Sequence, residues 1–289
     1  MVQDFKVTKL NYYMITINNI TMCLICKGIS LKGLTELSVC NSVVTLPELP
    51  QSLTHLSCPS CHLLTTLPEL PQSLTYLDCS YCYLLTTLPK LPQLLAYFNC
   101  SDCHLLTTLP ELPQSLTYLG CSYCPLLTTL PELPQSLTYL GCPSCHLLTT
   151  LPELPQSLAR LECFNCRLLT TLPELPQSLT RLWCSECPVL ILLPELPQSL
   201  TYLNCEGCTS LIFIPKKALK FISSKLLDII NNNYLNNNYL KWRQQKAYDW
   251  FSSKTGIVYE DLIKKTWHPS RVVDWCWDIE EVKWFKSLK

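Results

Sequence analysis

A 21-residue period constrains this chain more than any other feature. The hexapeptide Leu-Pro-Glu-Leu-Pro-Gln begins at Leu46, Leu67, Leu109, Leu130, Leu151, Leu172 and Leu193, and a variant with Lys90 begins at Leu88. One unit reads Leu67-Pro-Glu-Leu-Pro-Gln-Ser-Leu74-Thr-Tyr76-Leu77-Asp78-Cys79-Ser-Tyr81-Cys82-Tyr-Leu84-Leu-Thr-Thr87. Strand signatures start at Leu53, Leu74, Leu95, Leu116, Leu137, Leu158, Leu179 and Leu200, and an irregular unit at 34–45 is two residues shorter. A unit this short buries too little by itself, so neighbours must stack to share one continuous core.

The spacing says how the units stack. Leu77 and Cys79 are two apart, which places them on the same side of a strand. Strands stacked at about 4.8 Å would make a parallel sheet on the order of 35–40 Å long from eight regular units. The two prolines of each hexapeptide have no N–H and a fixed φ. They cannot sit in a central parallel strand, so that half of each unit must be an extended or polyproline-like return.

The frame Leu74-x-x-Leu77-x-Cys79-x-x-Cys82-x-Leu84 resembles the leucine-rich-repeat signature L-x-x-L-x-L-x-x-N/C-x-L. Cys79 takes the third apolar position and Cys82 the Asn-or-Cys position. The resemblance covers roughly residues 34–214. The Leu-Pro-x-Leu-Pro half is similar to the short repeats of secreted bacterial effectors. The resemblance implies an α/β-type solenoid: a leucine-rich-repeat parallel sheet with a polyproline-like convex side, closed by a helical C-terminal cap. The expected divisions are an N-terminal cap region at 1–33, the solenoid at 34–214, and a helical cap or small domain at 215–289.

Eight C-x-x-C pairs keep step with the repeat, from Cys58/Cys61 and Cys79/Cys82 to Cys205/Cys208, and a ninth, Cys23/Cys26, precedes them. Out of context this spacing signals zinc, which makes a thiolate metal protein one alternative; redox or disulfide roles are another. The register favours a core role, because both cysteines fall on inward positions of the leucine frame. A buried thiol is a small hydrophobe with a weak S–H donor that can reach unpaired turn carbonyls. No cofactor is expected.

The units differ mainly beside the strand. The residue before the second leucine runs His55, Tyr76, Tyr97, Tyr118, Tyr139, Arg160, Arg181, Tyr202, and the one after it runs Ser57, Asp78, Asn99, Gly120, Gly141, Glu162, Trp183, Asn204. The columns around Ser80 and Tyr81 vary too. Strand alternation puts all four columns, which include Tyr123, Phe164, Asn165 and Glu186, away from the core, on the concave sheet surface. Tyr, Trp and Arg are the residue types that anchor protein interfaces. Tyr76, Tyr97, Tyr118, Tyr139, Arg160, Arg181, Trp183 and Tyr202 are therefore the candidate partner-binding residues. Stacked tyrosines also stabilise neighbouring strands, and the two roles are compatible. His62, His104 and His146 recur in one column 42 residues apart, a product of repetition before it is chemistry.

The chain is formally neutral, but residues 1–214 carry 8 Lys/Arg against 14 Asp/Glu, and residues 215–289 carry 14 against 8. That asymmetry separates two segments and is too mild for a nucleic-acid partner. No run reaches the ~18 apolar residues of a membrane span. No secretory leader is read at the start, so the 20 cysteines are expected as reduced thiols in an intracellular, cytoplasmic setting, a host cell's included. After Ile214 the frame fails, and Ala218, Leu219, Phe221, Ile222, Leu226, Leu227 and Ile230 recur at helical spacing. The run Trp267-His268-Pro269-Ser270-Arg271 followed by Asp274-Trp275-Cys276 is similar to tails of uncharacterised proteins of large DNA viruses. Cys276-Trp277-Asp278 matches the Cys-x-Asp motif of effector ubiquitin ligases, whose thiolate takes ubiquitin as a thioester. Against an enzyme, the tail is shorter than that family's catalytic domain, and Cys276 sits among tryptophans, as inert thiols do. The expected function is a non-enzymatic protein-binding scaffold.

Overall fold

The computed structural model describes residues 14–17 and 20–212, with Ala218, Phe221, Leu226 and Ile229. Side chains are described from Cys23 onward. The described residues start with an antiparallel pair, β1 (Met14–Ile17) and β2 (Ile20–Cys23). Nine three-residue strands follow: β3 (Glu36–Ser38), β4 (His55–Ser57), β5 (Tyr76–Asp78), β6 (Tyr97–Asn99), β7 (Tyr118–Gly120), β8 (Tyr139–Gly141), β9 (Arg160–Glu162), β10 (Arg181–Trp183) and β11 (Tyr202–Asn204). They form one parallel sheet in strict sequence order. The register pairs like with like, Tyr76 with Tyr97 and Leu77 with Phe98, so each sequence column becomes a spatial row.

The inward rows are leucines and cysteines. Leu74, Leu77, Cys79, Cys82 and Leu85 are all fully buried, as are their counterparts through Leu190. Phe98 fills the Leu77 row in β6 at 0% exposure. Each fully buried side chain of this size contributes about 1.5–3 kcal/mol, and the contribution is realised only when the next coil covers it.

Backbone bonding between coils continues past the strands. The Cys79 N–H donates to the Asn99 carbonyl at 2.8 Å and the Tyr81 N–H to the Ser101 carbonyl at 2.7 Å. Between them the chain must turn, and it does so with a left-handed residue: Ser60, Tyr81, Asp102, Tyr123, Ser144, Asn165 and Glu186 have φ between 52° and 60°, and Gly207 follows at 75°. Seven of eight units thus accept a backbone that L-residues disfavour.

The proline-rich return carries no helix or strand. Its second proline is buried in units such as Pro71, and the Pro71 carbonyl accepts the Leu74 N–H at 3.0 Å. The following serine ties adjacent coils: Ser73 Oγ donates to the Leu53 carbonyl at 2.6 Å, and Ser115, Ser136, Ser157, Ser178 and Ser199 repeat this at 2.7 Å. Leu94 replaces the serine in one unit and is 59% exposed.

One frame position is corrected. Leu84 is 42% exposed, and Leu85 is the buried residue. The Leu85 N–H bonds to the Cys82 carbonyl at 3.0 Å, a tight turn that brings the third residue after Cys82 inward. The C-terminal helical pattern and the 215–289 division lie almost wholly outside the described residues; Ala218 and Leu226 are buried in the same apolar cluster as the coils.

Candidate partner-binding face

Alternation along each three-residue strand positions the face. The central residue points in, and its two neighbours point out, a pattern seen in β4 to β6 and β9 to β11 as one buried residue between two more exposed ones. Parallel register then stacks identical rings. Tyr76, Tyr97, Tyr118 and Tyr139 form a continuous pile with centroids 4.3, 4.3 and 4.4 Å apart and planes within 11°. His55 extends it at 5.6 Å, and the Arg160 guanidinium caps it 5.4 Å from the Tyr139 centroid. The four rings are half-buried; their faces cover one another.

Charge enters at β9. Arg160 pairs with Glu162, and the Tyr139 hydroxyl donates to Glu162 Oε2 at 2.9 Å. Burial, and then the Glu162 carboxylate, push the Tyr139 phenol above its ordinary range. Burial, and then Tyr118, do the same to Tyr97. Glycine makes the room at 141: a Cβ there would meet the Tyr139 hydroxyl at 2.7 Å. Farther along, Trp183 Nε1 donates to Ser185 Oγ at 2.8 Å. Trp183 also packs on Phe164 at 4.8 Å and edge-on to Tyr202 at 6.3 Å.

Of the eight candidate residues, Tyr76, Tyr97, Tyr118, Tyr139 and Arg160 form one stack, and Trp183 and Tyr202 form a second cluster. Arg181 is exposed between them in the same row. Two rows escaped the sequence reading as surface features, the second leucines and the His62 column. Leu63, Leu84, Leu105, Leu126, Leu147 and Leu168 are 39–49% exposed; the signal was Ser210 standing in that row beside buried Leu211. The Tyr81 and Ser80 columns, expected outward, divide: Tyr81 and Tyr123 hold exposed rings on left-handed backbone, whereas Ser80, Ser144 and Ser185 are buried. His62, Tyr83 and His104 stack at 4.7 and 4.8 Å, so two of the three column histidines serve a ring pile.

The repeated cysteines have a different task. Each second thiol donates to the carbonyl of the first-row cysteine one coil earlier: Cys82 to Cys58 at 3.2 Å, Cys103 to Cys79 at 3.3 Å, Cys124 to Cys100 at 3.3 Å, Cys145 to Cys121 at 3.1 Å, Cys166 to Cys142 at 3.2 Å, Cys187 to Cys163 at 3.2 Å and Cys208 to Cys184 at 3.0 Å. This satisfies carbonyls that water cannot reach. The reading of the repeated pairs as metal ligands finds no support in this ladder. Cys23, Cys26 and Cys40, outside it, are the one group of three or more His, Cys, Asp or Glu side chains arranged to hold a metal ion among the described residues. Cys276 and its Cys-x-Asp motif lie outside the described residues. No helix among them is long and apolar enough to cross a membrane.

A family model described as Leucine Rich Repeat matches residues 73–95. Among solved structures, YopM from Yersinia enterocolitica is 36% identical, with a TM-score of 0.56 over 63% of this chain and 39% of that one. The chain therefore spans well under half the length of that protein. YopM from Yersinia pestis, a leucine-rich effector protein, is 24% identical over 67% of this chain and 87% of that one, TM-score 0.26. A leucine-rich repeat protein from Bacteroides ovatus is 16% identical over 73% and 70%, TM-score 0.38. No curated protein matches.

Proposed function

We propose that this chain, a leucine-rich-repeat protein whose 21-residue repeats resemble those of bacterial effectors, is a protein-binding scaffold that holds its partner on the sheet face. The residues assigned to the contact are Tyr76, Tyr97, Tyr118, Tyr139, Arg160, Arg181, Trp183 and Tyr202. One observation carries the reading: four parallel tyrosine rings end on an arginine already paired with a carboxylate.

The physical argument is preorganisation. Ordering a rotamer-rich side chain at an interface costs about 0.5–1.5 kcal/mol. Stacking has already ordered these rings for the sake of the sheet, so a partner meets a face whose entropy is spent. Stabilising the strands and binding a partner are then one arrangement. Ring edges, hydroxyls and the guanidinium remain for a polar, aromatic epitope. The proposal places the protein in a reducing, cytoplasmic compartment, because the described cysteines are free thiols. It assigns no catalytic step and no cofactor.

The test uses immobilised full-length chain and extract of the cell in which the protein acts. Proteins retained by the wild type should be lost from the triple variant Y118A/R160A/W183A, with unchanged circular dichroism. A control triple, E111A/E132A/E153A, alters exposed glutamates of the proline-rich return and should retain them. Equal capture by both triples would overturn the assignment of the face.

A further inference from the structure

The thiol ladder must begin somewhere, and its start is chemically unlike its interior. In regular coils the residue three after the second cysteine bonds back to it, as Leu85 N–H does to the Cys82 carbonyl at 3.0 Å and Leu64 N–H to the Cys61 carbonyl at 3.0 Å. In the short first coil the Val43 N–H does the same to the Cys40 carbonyl at 3.3 Å. Cys40 is therefore the first member of the second cysteine row, 21 residues before Cys61. Among the described residues no coil of the parallel sheet precedes it, so none of them offers the carbonyl that every later thiol in its row receives.

Cys40 Sγ instead lies 3.3 Å from Cys26 Sγ, and Cys23 Sγ lies 3.6 Å from Cys26 Sγ. All three sulfurs fall within 4.8 Å of one another. Tetrahedral zinc with Zn–S bonds of about 2.3 Å holds its sulfurs about 3.8 Å apart. Small adjustments of this triangle would admit an ion. Cys61, the next thiol in the row, is engaged with the Cys40 carbonyl at 3.4 Å, which limits the set to three. Cys23 is buried, and Cys26 is half-buried.

We propose that Cys23, Cys26 and Cys40 form a single zinc-type thiolate site where the ladder begins, one ion per chain, with its fourth position left to water or an external donor. Cys23 ends β2, Cys26 sits in the turn after it, and Cys40 follows β3. The ion ties the antiparallel pair to the first coil at the end of the stack. Binding displaces the thiol protons. The role differs in kind from that of the repeated pairs, whose second thiols each have a carbonyl partner.

The full-length chain, reduced and stripped of metal with a chelator under anaerobic conditions, is titrated with Co2+ and then Zn2+. The expected result is one equivalent of Co2+, reported by a sulfur-to-cobalt charge-transfer band that one equivalent of Zn2+ removes. C26S and C40S should lose the band, and C142S and C145S, altered in the ladder interior, should keep it. Zinc should raise the melting temperature of the wild type and leave that of C26S unmoved. C26S decides the matter if C40S fails to fold, because Cys26 is only partly buried. Uptake of two or more equivalents, a band retained in C26S, no uptake by reduced wild type, or a Cys26–Cys40 disulfide as the only state recovered would each overturn the proposal.

Discussion

Two rows of this sheet lie one residue apart and obey different rules. The row through Leu77, Phe98, Leu119 and Leu140 is fully buried and changes once in these four coils, from leucine to phenylalanine. The row through Tyr76, Tyr97, Tyr118, Tyr139 and Arg160 is half-buried and changes from aromatic to cation without disturbing the register. The inner row is constrained by volume from both neighbouring coils. The outer row is constrained only by what stacks beside it. The comparison can be attacked at several strengths.

The strongest perturbation reaches the first cysteine row all at once. Cys79, Cys100, Cys121 and Cys142 are pushed well above the ordinary thiol range by hydrogen bonding to the next coil's thiol and by burial; for Cys163 and Cys184 burial comes first. The folded state keeps these protons and the unfolded state releases them near pH ~8.5. The stability they contribute is therefore present below that pH and is lost as pH rises above it. Each thiol adds up to about 1.4 kcal/mol per pH unit to the loss. Urea unfolding between pH 7 and 10 should show a steep fall. A flat profile would mean that the inner rows ionise without penalty.

Next in size is a pair of neighbours on β6. Phe98→Ala should cost about 3–5 kcal/mol, and Phe98→Leu, which restores the row's usual residue, below about 1.5 kcal/mol. Tyr97→Ala removes two ring contacts of about 0.5–1.5 kcal/mol each and should cost clearly less than Phe98→Ala. Equal losses in denaturant midpoints would erase the distinction between the rows.

Cys124→Ala should come third. It strands the Cys100 carbonyl that the thiol now reaches at 3.3 Å, a cost of about 1–3 kcal/mol. Cys124→Asn should recover most of this, because asparagine is the other residue that leucine-rich repeats accept there and it too can donate. If alanine and asparagine behave alike, the ladder is packing and its hydrogen bonds are incidental.

These contrasts also show where the sequence is transparent. Periodicity and prolines determine the parallel sheet, its order and the burial of both cysteine rows, because a repeated frame leaves no freedom of register. Leu84 and Leu85 were not separable within one unit: the signature takes Leu84, the turn at Cys82 brings Leu85 inward, and only Ser210 beside Leu211 in the last coil signals it in the sequence. The face residues were legible as a list, since alternation puts them outward. The Tyr139–Glu162–Arg160 connection was not, because it depends on ring tilt and on the space that Gly141 leaves. The convergence of Cys40 on Cys26 was hidden because Val39 holds the first-cysteine position of the first coil and the coil is two residues short, so Cys40 stands in no C-x-x-C pair.

The smallest effect concerns the seam between the two rows. Tyr123 sits at φ 52° with its ring 47% exposed. A left-handed L-residue costs about 1–2 kcal/mol, whereas glycine loses about 0.5–1 kcal/mol of chain entropy on folding. Gly207 already occupies the equivalent place. Tyr123→Gly should therefore stabilise the fold by up to about 1 kcal/mol in urea unfolding, a direction opposite to that of every other substitution above. If Tyr123→Gly raises stability and weakens partner capture together, the binding face extends past the strands to this turn. If it lowers stability, the ring is packing, and the outer surface ends at the strand.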